Sequence, residues 1–189
     1  MRLHRWLLAL SLGFAAPAAA QAPGLDLDLR AGVNITSLGD APSGYETDDD
    51  LGYFIGGDVR FGKFFFVQPG LYYQHQTVNF DDNDGTSDGI GVSSFMIPLQ
   101  VGVDVDLKLL GAEIGVGPTL TFNTSVGDND FGIVKDDLNN TRFGGLISAK
   151  AYVLFIGGFI GYQFDFTEAV KDGNGGGFNQ WMFGLGVNF

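Results

Sequence analysis

Phe178-Asn179-Gln180-Trp181-Met182-Phe183-Gly184-Leu185-Gly186-Val187-Asn188-Phe189 is the stretch that decides the fold. Trp181, Phe183, Leu185, Val187 and Phe189 share one side; Gln180, Met182, Gly184, Gly186 and Asn188 share the other. A period of two residues makes this a β-strand with one oily and one polar face. The sequence stops on an aromatic residue. An aromatic end suits a strand that crosses a bilayer, because the ring anchors at the lipid–water interface.

The same alternation recurs upstream. Leu25–Thr36 sets Leu25, Leu27, Leu29, Ala31, Val33 and Ile35 against Asp26, Asp28, Arg30, Gly32, Asn34 and Thr36. Further strands are expected at about 51–61, 64–78, 92–105, 110–124, 142–153 and 155–167, which with the last makes eight. Register is least defined in the sixth and seventh, where glycines blur the pattern. Tight turns at Gly62-Lys63, around 106–108 and near 154 alternate with long connections at 37–50, 79–91, 125–141 and 168–177. Fifteen of the chain's 22 acidic residues fall in those four long connections.

These elements predict an all-β fold: a closed eight-stranded antiparallel transmembrane β-barrel with up-and-down meander order. An even strand number with short turns at one end and long loops at the other is the layout of an outer-membrane barrel. Closure pairs every backbone group inside the bilayer. Tyr53, Tyr73, Phe95, Phe122, Phe143, Phe164 and Trp181 are expected in the outer aromatic girdle, and Phe61, Phe65 and Phe189 in the periplasmic one. The competing fold is a soluble calycin-like barrel or β-sandwich. Its polar face would carry many lysines and glutamates, whereas here Gly, Gln, Asn, Thr and Ser dominate.

The first twenty residues open on Arg2 and Arg5, continue through an apolar run from Trp6 to Ala16, and exit through Ala18-Ala19-Ala20. That is the layout of a cleaved signal peptide, so residues 1–20 are expected to be removed and 21–189 to form the barrel domain. Secretion through the inner membrane would then lead to the cell outer membrane of a Gram-negative bacterium. With no cysteine, a disulfide framework and thiol chemistry are excluded. A formal charge of −12 speaks against nucleic acid, whose phosphates require a basic surface.

Three short stretches carry a resemblance: RAGVNITSLGD (30–40), FFFVQPGLYYQ (64–74) and MIPLQVGVDV (96–105). They resemble the PorT-type outer-membrane β-barrel family across essentially the whole mature chain. The resemblance implies an eight-stranded barrel inserted by the barrel assembly machinery, with no family-wide catalytic or binding residues to transfer.

Candidate site residues are the charges on the inward face: Asp26, Asp28, Arg30, Asp58, Arg60, Asp104, Glu113, Lys150 and Asp165. Asp26 is expected near Arg60, Arg30 near Asp58, and Glu113 near Lys150. They read as a neutralising network that fills a narrow lumen, or else as the lining of a selective path. The segment FDDNDGTSD (80–88) offers Asp82, Asp84 and Asp88 as weak calcium ligands, but Phe80 occupies the first ligand position of an EF-hand register. No cofactor is expected. His75 faces lipid with Thr77 beside it, and no carboxylate is placed to orient its ring, so no catalytic residues are assigned. The expected role is non-enzymatic: envelope structure or binding through the surface loops, by a monomer in contact with outer-membrane lipid and lipopolysaccharide. A narrow pore for ions or small solutes, and then a lipid-modifying enzyme, are the alternatives.

Overall fold

The computed structural model describes residues 24–38, 45–82, 87–107, 109–127, 138–168 and 176–189. Eight strands follow one another in chain order: β1 (Leu25–Leu38), β2 (Tyr45–Gly62), β3 (Phe65–Asp82), β4 (Ser87–Asp106), β5 (Leu110–Val126), β6 (Thr141–Val153), β7 (Ile156–Asp165) and β8 (Phe178–Asn188). Each pairs antiparallel with the next, and β1 pairs with β8, so the sheet closes into a barrel in meander order. The seam runs from Asp28↔Asn188 to Leu38↔Phe178. Beyond it, Phe189 N donates to Leu27 O at 2.8 Å and Leu27 N to Phe189 O at 3.1 Å. The expected signal segment lies outside the described residues.

Alternation sets the two faces. Odd-numbered residues from β1 to β4 and even-numbered residues in β5 point outward, giving an apolar wall of Leu29, Ile55, Leu71, Leu99, Val101 and Val116, all exposed. The alternate residues, such as Asn34, Asp58, Gln74 and Gln100, and in β5 Glu113 and Thr121, are buried inside. The outer aromatic band is continuous in places: Tyr53–Tyr73 at 6.3 Å, Tyr73–Phe95 at 5.6 Å and Tyr162–Trp181 at 4.8 Å between ring centroids. Among the described residues no helix is long and apolar enough to cross a membrane; the strands do that work.

Three expectations about boundaries are corrected. The connection read as 79–91 is mostly strand, because Asp81 pairs with both Glu46 and Ser87. Residues 45–50 of the first long connection belong to β2. β7 ends at Asp165, two residues early. The first two share a cause: alternation in polarity stops where lipid stops, whereas backbone pairing continues into water. The short turns match. Gly62 takes φ 111°, and Leu154, which turns β6 into β7, takes φ 56°, a left-handed position unusual for a side chain of that size. The register of the blurred pair is also defined, with Leu146 opposite Gln163 and Ser148 opposite Gly161.

Candidate functional site

The lumen is filled in three layers. In the layer at the short-turn end, Arg30 from β1 reaches Asp28 Oδ2 at 2.6 Å, Asp58 Oδ2 at 3.3 Å and Glu113 Oε1 at 2.9 Å. Its guanidinium also lies 4.7 Å from the centroid of the Phe159 ring. Arg60 from β2 reaches Asp26 and Asp104 at 2.5 Å each and Glu113 Oε2 at 3.3 Å. Lys150 from β6 reaches Asp28 Oδ2 at 2.6 Å and donates to Asn188 Oδ1. Tyr72 donates its hydroxyl to Asp58, and Tyr152 donates to Asp104 Oδ1 at 2.9 Å. Three cations thus hold five carboxylates, and each of the two arginines is shared among three of them.

Eight of the nine sequence candidates meet in this layer. The Asp26–Arg60 and Arg30–Asp58 proximities are present. Glu113 and Lys150 are register partners on β5 and β6, yet each has different ionic partners. Glu113 turns to the two arginines, and Lys150 turns to Asp28 and Asn188 across the seam. The ninth, Asp165, stands apart at the opposite end of the lumen.

The middle layer is apolar. Phe54, Tyr72, Met96, Leu146, Phe159 and Met182 form one buried cluster, none more than 6 % exposed. Phe54 packs edge-on against Tyr72 and Phe159, both at 6.0 Å. Neighbouring glycines make room. A Cβ at Gly184 would lie 2.8 Å from Phe54 Cζ, and one at Gly161 would lie 2.9 Å from Phe159 Cζ. Any side chain there would displace the ring. This septum crosses the bore where the sequence offered mostly polar and small residues.

In the outer layer the amides of Asn34, Gln74, Gln76, Gln163 and Gln180 bond one another. Gln76 Nε2 donates to Gln180 Oε1 at 2.9 Å and to Gln74 Oε1 at 3.2 Å; Asn34 Nδ2 donates to Gln180 Oε1 at 3.0 Å. Gln180 Nε2 donates to Gln74 Oε1 at 3.2 Å and also to Gln163 Oε1. Arg142, fully buried, pairs with Asp165 and lies 4.5 Å from the Phe178 ring centroid. Further out, Leu138 packs on Ile90 and Val92. Asn123 Nδ2 holds Asn139 O at 2.8 Å beside it.

Sequence reasoning missed Arg142, the tyrosines and the septum. Arg142 shares its parity with Lys150 eight residues on, which is the signal that could have found it. His75 lies on the outward face as expected, but its neighbour is corrected. Its Nδ1 is 3.0 Å from Ser93 Oγ, across the β3–β4 pair, rather than against Thr77. Among the described residues no three carboxylate or imidazole groups converge as a metal site. Of the calcium candidates, Asp84 lies outside the described residues, and Asp82 and Asp88 fall in the β3–β4 hairpin.

A family model described as outer membrane protein β-barrel domain matches residues 6–189. Among solved structures, the outer membrane protein OprG from Pseudomonas aeruginosa aligns at TM-score 0.55 and 12 % identity, covering 87 % of this chain and 95 % of its own. Neisserial surface protein A aligns at 0.53 and 13 %, covering 87 % and 96 %. The attachment invasion locus protein Ail of Yersinia pestis, in complex with the heparin analogue sucrose octasulfate, aligns at 0.47 and 13 %, covering 87 % and 99 %. No curated protein matches the sequence. At these identities the likeness is one of fold.

Proposed function

The chain belongs to the outer membrane protein β-barrel domain family, and from that premise we propose that it is a sealed barrel of the Gram-negative outer membrane that works from its outer surface. Its partner contacts are made by the long acidic connections. Within the family, GVNITS (32–37), QPGLYY (68–73) and IPLQ (97–100) support a PorT-type affiliation. Residues 1–20 serve as the export signal, and the barrel assembly machinery inserts the rest.

The observation that carries this reading is the septum. Six apolar side chains from six different strands (Phe54, Tyr72, Met96, Leu146, Phe159 and Met182) close the bore, between an ionic layer and an amide layer that are themselves buried. Water-filled passage needs a polar, open lumen. The test is flux of ions and small sugars into liposomes carrying the refolded mature protein, with insertion checked by heat-dependent gel mobility. Wild type is expected to stay closed. The double variant Phe54→Ala, Phe159→Ala is expected to leak. A conducting wild type would overturn the sealed-scaffold reading and install the narrow pore.

A further inference from the structure

We propose that Ser93 and His75 form an acyl-transfer site on the lipid-facing wall, acting on an ester-linked acyl chain of an outer-leaflet lipid. Ser93 Oγ is 3.0 Å from His75 Nδ1, and Tyr73 donates its hydroxyl to the same Ser93 oxygen at 3.1 Å. The tyrosine fills one acceptor position of the hydroxyl, and in the tautomer that carries its proton on Nε2 the imidazole accepts the serine's proton at Nδ1. A hydroxyl within hydrogen-bond reach of a base is an activated nucleophile. The ring needs a third group to hold it, and Tyr53 does so by stacking at 5.3 Å between centroids, 29° from parallel.

The backbone prepares the place. Register between β4 and β5 shifts between Ser93 and Ser94, so Thr124 is the extra residue of a bulge. Bulges re-aim side chains, and Thr124 Oγ1 ties this one by donating to Ser93 O at 2.9 Å. Ser93 is 8 % exposed, and the approach runs past Gly91. A Cβ at Gly91 would lie 3.2 Å from His75 Cε1 and 3.4 Å from Nε2; glycine leaves that edge of the imidazole open.

Location selects the substrate class. The group stands on the outward face beside Tyr73 and Phe95, in the aromatic band nearest the long connections. Such bands mark the depth where headgroups meet tails, and lipid esters lie at that depth. In the step proposed, Ser93 Oγ bonds to the ester carbonyl carbon while its proton passes to His75 Nδ1. The ester C–O bond breaks, and the imidazolium returns the proton to the departing alcohol oxygen. Water then attacks the acyl-serine with the same base, which releases the fatty acid and restores the hydroxyl.

The test uses the refolded mature protein in vesicles of phosphatidylethanolamine and phosphatidylglycerol, and separately in vesicles containing lipid A. Released fatty acid is measured by mass spectrometry. A fluorophosphonate probe reports the nucleophile by peptide mass. Label on Ser93 and release from one vesicle type are expected, and the vesicle type identifies the lipid. Ser93→Ala and His75→Asn should each cut release at least about 100-fold with heat-dependent mobility intact. Ser125→Ala, at Ser93's register partner, should keep the full rate. A folded wild type that releases nothing from either vesicle and takes no label at Ser93 overturns the site, as does release that survives Ser93→Ala. Neither result bears on whether the lumen is sealed.

Discussion

The two ends of the lumen are packed with different chemistry. On the short-turn side of the septum, three cations and five carboxylates share one layer; on the other side, amides predominate and, among the described residues, one buried ion pair, Arg142–Asp165, stands among them. A shared cation is a keystone, because removing it takes an ionic contact from several carboxylates at once. An amide network is more redundant, because its members, Asn34 apart, have a second amide partner. Loss of one group should therefore be far more costly at the ionic end.

The hardest test exchanges the register partners. In Glu113→Lys, Lys150→Glu, the new lysine faces Arg30 and Arg60, and the new glutamate faces Asp28. If Glu113 and Lys150 formed an isolated pair, the exchange would restore the stability lost in the single variants. The partners in the structure predict no rescue. Each single variant should cost about 3–5 kcal/mol, as broken buried pairs do, and the double variant at least as much as either. Urea unfolding in lipid vesicles, followed by Trp181 fluorescence, measures it. Recovery to near wild type would make the pair local and dissolve the keystone argument.

Next comes the comparison of the two arginines. Arg30→Met leaves Asp28, Asp58 and Glu113 short of a cation, whereas Arg142→Met leaves Asp165 alone. Expected losses are about 5 kcal/mol for Arg30 and about 3 kcal/mol for Arg142, read by the same unfolding transitions. Equal losses would mean that sharing adds nothing beyond one broken pair.

The septum between the two layers sits lower on the scale. Phe54→Ala removes a ring that touches Tyr72 and Phe159 and should cost about 3 kcal/mol through lost burial and the cavity left behind. A cost near zero would mean that neighbouring rings collapse into the gap. The two layers would then not be held apart by packing.

How much of this was legible follows from the range of each interaction. Alternation is local, so Leu25–Thr36 and Phe178–Phe189 announced their strands and their inward faces. Neighbour pairing is nearly local, so Asp26–Arg60 could be read across adjacent strands β1 and β2. Contacts across the bore are not local: Arg30 on β1 meets Glu113 on β5, strands that share no register, and only the closed geometry brings them together. The septum was half visible, since Met96 and Met182 already stood at inward positions. What hid it was that the rings of Phe54 and Phe159 occupy space that Gly184 and Gly161 leave free beside them. Ser93 was hidden differently. His75 was read with Thr77 on its own strand, whereas the closer hydroxyl lies on the next strand.

The smallest expected effect is also the most discriminating. Gln180 links four amides: its Oε1 accepts from Asn34 and Gln76, and its Nε2 donates to Gln74 and Gln163. Gln180→Leu keeps most of the volume and removes all four bonds. Yet Gln76 retains Gln74 Oε1 at 3.2 Å, and Gln163 still accepts from Gln74 Nε2 at 3.3 Å, so Asn34 is the member that loses its amide partner. One newly unsatisfied buried donor costs about 1–2 kcal/mol, well below the figure for Arg30→Met in the same assay. Should Gln180→Leu match Arg30→Met, the amides would behave as one cooperative unit, and the contrast between the two ends would be one of charge alone rather than of redundancy.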